Sequence, residues 1–94
     1  MSNKNQNLII IMSDEHQAKA LGSIGHPFVK TPNLDKLASN GINFMNAYTP
    51  CPICVPARAS FATGLPVHKN RLWDNAMPYF GQLPSWGHML QKKG

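Results

Sequence analysis

The run Leu8-Ile9-Ile10-Ile11-Met12 is apolar at every position, and three of its residues are β-branched. A helix on a protein surface, or a strand with one wet face, would interrupt such a run with polar residues. Unbroken, it predicts a strand covered on both faces, as in a parallel sheet. Ser13-Asp14-Glu15-His16 follows at once, and the carboxyl end of a central strand is where open α/β sheets place their ligands. The run is too short for a membrane span or for the apolar core of a secretory signal, and the stretch Met1–Asn7 before it is polar. A cytoplasmic chain with no membrane partner is therefore expected.

Further along, Thr31-Pro32-Asn33-Leu34-Asp35-Lys36-Leu37-Ala38-Ser39-Asn40-Gly41 predicts a helix, with Thr31 as cap, Pro32 at the first position, Leu34, Leu37 and Ala38 on one face and Gly41 as stop. Ile42 to Ala47 alternates weakly and is expected as a second strand, and the prolines between Tyr48 and Pro56 demand a loop. A second helix is expected from Pro56 through Thr63 to a stop at Gly64, with Cys54 just before it. Leu65 to Gln82 reads as loop, and Pro84 to Gly94 as a third helix with a basic last turn. Strand, helix, strand, helix, helix is an α/β order, but two strands do not make a sheet of ordinary size. With 94 residues, the chain reads as one incomplete domain spanning 1–94, the beginning of something larger.

The nine basic residues outnumber the four acidic ones, for a formal charge of +5, which favours anionic partners in general. They are scattered, with no run longer than two, so the stripe that phosphate neutralisation needs is missing and no nucleic-acid partner is expected. In a reducing compartment the two cysteines, Cys51 and Cys54, are thiols, ligands or catalytic groups before they are a structural bridge. A redox C-x-x-C sets its first cysteine at a helix start, where the dipole lowers the thiol's pKa; here the second one lies nearer the expected helix. A zinc site needs three or four ligands, and His16, His26, His68 and His88 are too widely spaced to complete one. Two packing thiols in a proline-rich loop remain the plain alternative.

Against that alternative stands the spacing Cys54-x-Pro56-x-Arg58, running into Ala59-Ser60-Phe61-Ala62-Thr63-Gly64. Here the chain resembles the sulfatase family, whose signature is C-x-P-x-R leading into a helix that ends in Thr-Gly. Cys51 does not fit the frame, because Ile53 and not proline lies two positions beyond it. The resemblance extends over nearly the whole chain: the apolar run with its acidic pair, TPNLDKLASNGINFMNAYTP, CVPARASFATG and a closing Pro-started helix come in the family's order. The run into Trp73-Asp74-Asn75-Ala76 is most similar to the choline-sulfatase branch and its phosphonate-monoester-hydrolase relatives.

The resemblance implies the N-terminal part of an α/β sandwich domain with a mixed, mostly parallel central sheet, and hydrolysis of sulfate monoesters, choline sulfate among them. By the same resemblance Cys54 is oxidised after synthesis to formylglycine, whose hydrated aldehyde supplies the nucleophilic oxygen, and Arg58 holds the formylglycine oxygens with its planar fork. Asp14 matches the family's first metal-binding acid. Glu15 stands where many relatives carry a second Asp and the choline-sulfatase-like branch often Gln. The implied metal ligands are thus Asp14, Glu15 and the group formed from Cys54, around a hard divalent cation, calcium first, with manganese or magnesium as alternatives. Asn75 falls where the branch places an asparagine that binds the substrate's anionic group. The implied partners are a small anionic ester, a formylglycine-generating or other sulfatase-maturing enzyme and, for the full-length form, a second copy of the chain.

Each residue also has a plainer role: an Asp-Glu pair after a strand commonly caps a turn, and a loop Asn is usually a turn residue. His68 and Lys69 occupy a His-basic position common in the family, where the histidine is more often structural. Val55, Ala57 and Arg71 depart from the family pattern, Arg71 standing where Gly often follows the His-basic pair. The family's Gly-Lys-x-His segment, its second metal-binding group and its leaving-group histidine are expected beyond Gly94, so these residues alone are expected to be inactive. Two alternatives stay open: hydrolysis of phosphonate monoesters or phosphodiesters on the same scaffold, and a redox or metal-binding module built on Cys51 and Cys54.

Overall fold

The computed structural model describes residues 6–94; of the polar opening stretch, residues 1–5 lie outside the described residues. The chain divides into two units, one up to Phe44 and the other from Met45. All regular elements among the described residues are helical: a one-turn 3-10 helix over Gly22–Ile24, then α1 (Pro32–Ser39), α2 (Cys54–Thr63), α3 (Val67–Asn70) and α4 (Trp86–Gln91).

The two expected strands do not form among these residues. Leu8–Met12 and Ile42–Ala47 carry no ladder, and the former lies open, with Ile9 84% and Ile11 89% exposed. A strand is defined by the neighbour that accepts and donates its backbone hydrogen bonds, and no second extended segment pairs with either run. The sheet expected of an α/β chain is accordingly not formed here, although the apolar run that calls for it is real.

In the first unit α1 starts at Pro32, as its sequence predicts. Thr31 is the residue at the cap, yet its hydroxyl takes no backbone N–H of its own helix. It accepts from the Gly22 N–H at 2.8 Å and donates to Asp35 Oδ1 at 2.7 Å, and the same Asp35 oxygen accepts from the Ser23 N–H at 2.8 Å. The hydroxyl and the carboxylate therefore tie the 3-10 turn to the start of α1. A Cβ on Gly22 would lie 2.5 Å from Asp35 Oδ2, so a side chain there would have to displace the carboxylate that makes the tie. The C-terminus is stopped by Asn40, whose Nδ2 donates to the Lys36 carbonyl at 2.9 Å, one residue before the expected Gly41.

The second unit holds what little core there is: Pro56, Ala59 and Ser60 of α2, Asn70 of α3, and Leu72. Asn70 is the polar centre of this packing. Its Nδ2 donates to Ser60 Oγ at 3.1 Å and to the Leu65 carbonyl at 3.2 Å, while its Oδ1 accepts from the Leu72 N–H at 2.9 Å. A buried amide is tolerated when its donors and acceptor are all used. The turn of α3 that this network organises interrupts what the sequence predicts as continuous loop. It ends at Arg71 with φ 61°, in the left-handed region, a conformation that glycine adopts freely and a residue with a Cβ does not. Phe61 of α2 meets Trp86 of α4 edge to face, with centroids 6.1 Å apart. Within α4, Ser85 donates its N–H to His88 Nδ1 at 3.2 Å, and its Oγ lies 2.7 Å from the same nitrogen. That pairing starts the helix at Trp86, two residues after Pro84, and the regular helix ends at Gln91.

Candidate functional site

Helix α2 carries the cysteine motif, and its boundaries decide what the motif presents. The expected start at Pro56 is displaced: Ile53 is extended at φ −110° and ψ 141°, and the first helical bond runs from the Ala57 N–H to the Ile53 carbonyl at 3.0 Å. Cys54 is thus the first helical residue, Val55 the second and Pro56 the third. The cost is small, because the first-turn N–H groups have no intrahelical partner and a proline there forfeits nothing. At the other end Gly64 takes φ 70° and donates its N–H to the Ser60 carbonyl at 2.8 Å, the αL stop that the sequence predicts.

Cys54 is half-buried and Arg58, one turn further on, is exposed. Residues four apart lie on one helix face, so the helix itself presents both side chains on the same side. Arg58 also lines a depression of about 300 Å³ formed with Val55, Ala59, Ala62, Pro78 and Tyr79. Its other lining side chains are largely apolar, and Cys54 is not in its wall. The Tyr79 hydroxyl donates to the Leu83 carbonyl, which fixes that ring at the edge of the depression.

Asn75 reaches the motif from a turn twenty residues downstream, where its Oδ1 accepts from the Val55 N–H at 2.9 Å. The turn is built locally, since Asp74 Oδ1 accepts from the Ala76 N–H at 2.8 Å and the Asp74 carbonyl from the Met77 N–H at 3.4 Å, an Asx-type arrangement. Sequence reasoning expects Asn75 to contact an anionic group and misses its contact with the helix. Of the first-turn donors, Pro56 has none and Val55's is committed to Asn75. Two of the first-turn positions therefore offer no N–H to a bound group.

Cys51 lies in the segment before α2, where its N–H donates to Thr49 Oγ1 at 3.3 Å and its carbonyl accepts from the Thr49 hydroxyl at 2.6 Å. Both cysteines are free thiols. With the second cysteine and not the first at the helix start, the dipole acts on the wrong thiol for a C-x-x-C redox pair.

Asp14 and Glu15 belong to the first unit. They form a turn directly after the apolar run, are exposed, and Glu15 has φ 55°. His16 Nε2 lies 3.1 Å from the Ala20 carbonyl. A carboxylate such as Asp14 has the oxygen chemistry a hard divalent cation prefers. Among the described residues, however, no group of three or more His, Cys, Asp or Glu is gathered to hold a metal ion. These residues supply donors of the right kind but not a completed site. Also among the described residues, no helix is long and apolar enough to cross a membrane.

Comparison with known proteins covers almost the whole chain. The family model described as Sulfatase matches residues 6–93. The chain is 37% identical to a choline-sulfatase of Rhizobium meliloti over 94 residues, all of this chain and 18% of that protein. It is 35% identical to an N-acetylglucosamine-6-O-sulfatase of Bacteroides thetaiotaomicron over 91 residues, 97% of this chain and 16% of that protein. Against arylsulfatase A of Homo sapiens the identity is 45% over 62 residues, 65% of this chain and 12% of that protein. The chain spans less than a fifth of the length of these relatives. No solved structure matches it.

Proposed function

The chain belongs to the sulfatase family, and on that premise we propose that it forms the nucleophile-bearing part of a hydrolase of sulfate monoesters, with choline sulfate the first substrate to test. The observation that carries this reading is the motif helix: Cys54 at its first position, Arg58 on the same face one turn later, and Asn75 docked on the Val55 N–H between them. In this reading Cys54 is converted to formylglycine by a maturing enzyme that supplies the oxidant, and the modified group provides the nucleophilic oxygen. Arg58 holds that oxygen and the sulfate beside it, because a guanidinium stabilises charge developing on paired oxygens. Asp14, with Glu15 beside it, would supply carboxylate oxygens of the kind a divalent metal prefers, and that metal would polarise the sulfate.

The same premise supports an α/β fold in which Leu8–Met12 and Ile42–Ala47 are strands of the mixed, mostly parallel sheet, paired with strands outside these 94 residues. An unbroken apolar run stranded in water supports this, since burial of both faces is what such a run is for.

Two measurements on the full-length protein test the reading. After co-expression with the maturing enzyme, the tryptic peptide ending at Arg58 is expected to lose about 18 Da at Cys54, one sulfur and two hydrogens leaving and one oxygen entering. Choline sulfate or an aryl sulfate is expected to turn over, and Cys54→Ala and Arg58→Ala to abolish or cripple that turnover. A clear preference for phosphonate monoesters or phosphodiesters moves the activity to the related branch, and a reversible loss of two hydrogens across Cys51 and Cys54 replaces it with redox chemistry.

A further inference from the structure

We propose that Asn75 is a positioning residue for Cys54: its side-chain oxygen caps α2 from outside the helix and so fixes the turn on which the nucleophile stands. The inference deepens the sulfatase reading and rests on it for its catalytic consequence, while the cap itself rests on geometry alone.

Helix α2 has no cap of its own. The residue at the capping position is Ile53, which makes no side-chain hydrogen bond to the helix. A capping oxygen normally accepts from the second or third helical N–H; the third residue here is Pro56, which has none, so the Val55 N–H is the single donor a cap can take. Asn75 Oδ1 takes it at 2.9 Å. The cap is itself anchored, since Asp74 Oδ1 and the Asp74 carbonyl close the turn that carries Asn75. Pro56 is fully buried and the adjoining Cys54 and Val55 are half-buried. The bond therefore holds a turn whose proline would otherwise bias Val55 away from helical geometry. With Oδ1 engaged by Val55, the amide's donors sit at its Nδ2 end, the end suited to an anionic oxygen. One residue thereby orders the nucleophile's turn and keeps a donor for an acceptor group.

The test compares Asn75→Ala, which removes the cap, with Asn75→Asp, which keeps an accepting oxygen and replaces the donor by a charge. All measurements use the full-length protein. Hydrogen exchange at the Val55 amide is expected to lose its protection in Asn75→Ala and to keep it in Asn75→Asp. In protein made without the maturing enzyme, iodoacetamide alkylation of Cys54 is expected to accelerate about fivefold or more in Asn75→Ala as the turn frays, with Cys51 on the same peptide unchanged. In Asn75→Asp the Cys54 rate is expected to stay near that of wild type, because the capping oxygen is kept. In matured protein Asn75→Ala is expected to lower kcat for a sulfate ester about tenfold or more, while Asn75→Asp, which sets a charge against the anionic substrate, is expected to lose kcat/KM chiefly through a raised KM.

Unchanged Val55 exchange and Cys54 alkylation in Asn75→Ala overturn the proposal, as does an Asn75→Asp variant whose kcat falls as far as that of Asn75→Ala. If Asn75→Ala does not fold, Val55 protection in Asn75→Asp decides alone: retained, it supports the cap, and lost, it overturns it. If the wild-type protein turns over no sulfate ester, the sulfatase reading fails, and exchange and alkylation still decide the cap.

Discussion

Arg71 stands at φ 61° between two buried residues, Asn70 and Leu72. For a residue with a Cβ this conformation costs about 1 kcal/mol or more relative to glycine, and the exposed Arg71 side chain is not part of the core that sets it. Asn70 is what demands the turn, because its Oδ1 accepts from the Leu72 N–H while its Nδ2 reaches back to Ser60 and Leu65. Arg71→Gly is therefore expected to stabilise the full-length protein by about 0.5–1 kcal/mol, the relief of strain being partly offset by the entropy glycine adds to the unfolded chain. A rise in the urea midpoint without a change in slope is the expected signature, and a lower midpoint refutes it. The sequence marks this position through the departure from Gly, but only the network around Asn70 supplies the cause.

At the scale of elements, α1 and α2 show how far punctuation residues can be trusted. Pro32 opens α1 and Gly64 closes α2 as their residue types predict, because both effects act within one turn of chain. The opposite ends shift. Asn40 stops α1 before Gly41 by bonding the Lys36 carbonyl, and α2 begins at Cys54 because a distant amide satisfies Val55. The tie between the 3-10 turn and α1 was equally out of reach of local pattern, since it joins Gly22, Ser23, Thr31 and Asp35 through side chains. Gly22→Ala is expected to cost about 1–3 kcal/mol, since the added methyl must push the Asp35 carboxylate off its two donors. Loss of exchange protection at the Ser23 amide would locate the effect, and full protection with an unchanged midpoint would contradict it.

At the scale of the whole molecule, the second unit buries little besides Pro56, Ala59 and Leu72, while Leu8, Ile9, Ile11, Ile42, Phe44 and Tyr48 are all exposed. So little burial cannot offset the chain entropy of ordering the described residues. Expressed by itself, this segment is expected to bind 1-anilinonaphthalene-8-sulfonate strongly, to melt without a cooperative transition and to hydrolyse no sulfate ester; a sharp thermal transition or measurable turnover would refute this. The sequence by itself determined the family, through C-x-P-x-R and the order of segments around it. Those are properties of residue type and spacing, which survive in any conformation. Only the tertiary structure decided that Cys54 is the first residue of its helix and that Asn75 holds the turn beneath it. A hydrogen bond between residues twenty apart depends on where the intervening chain returns, and no local pattern encodes that return.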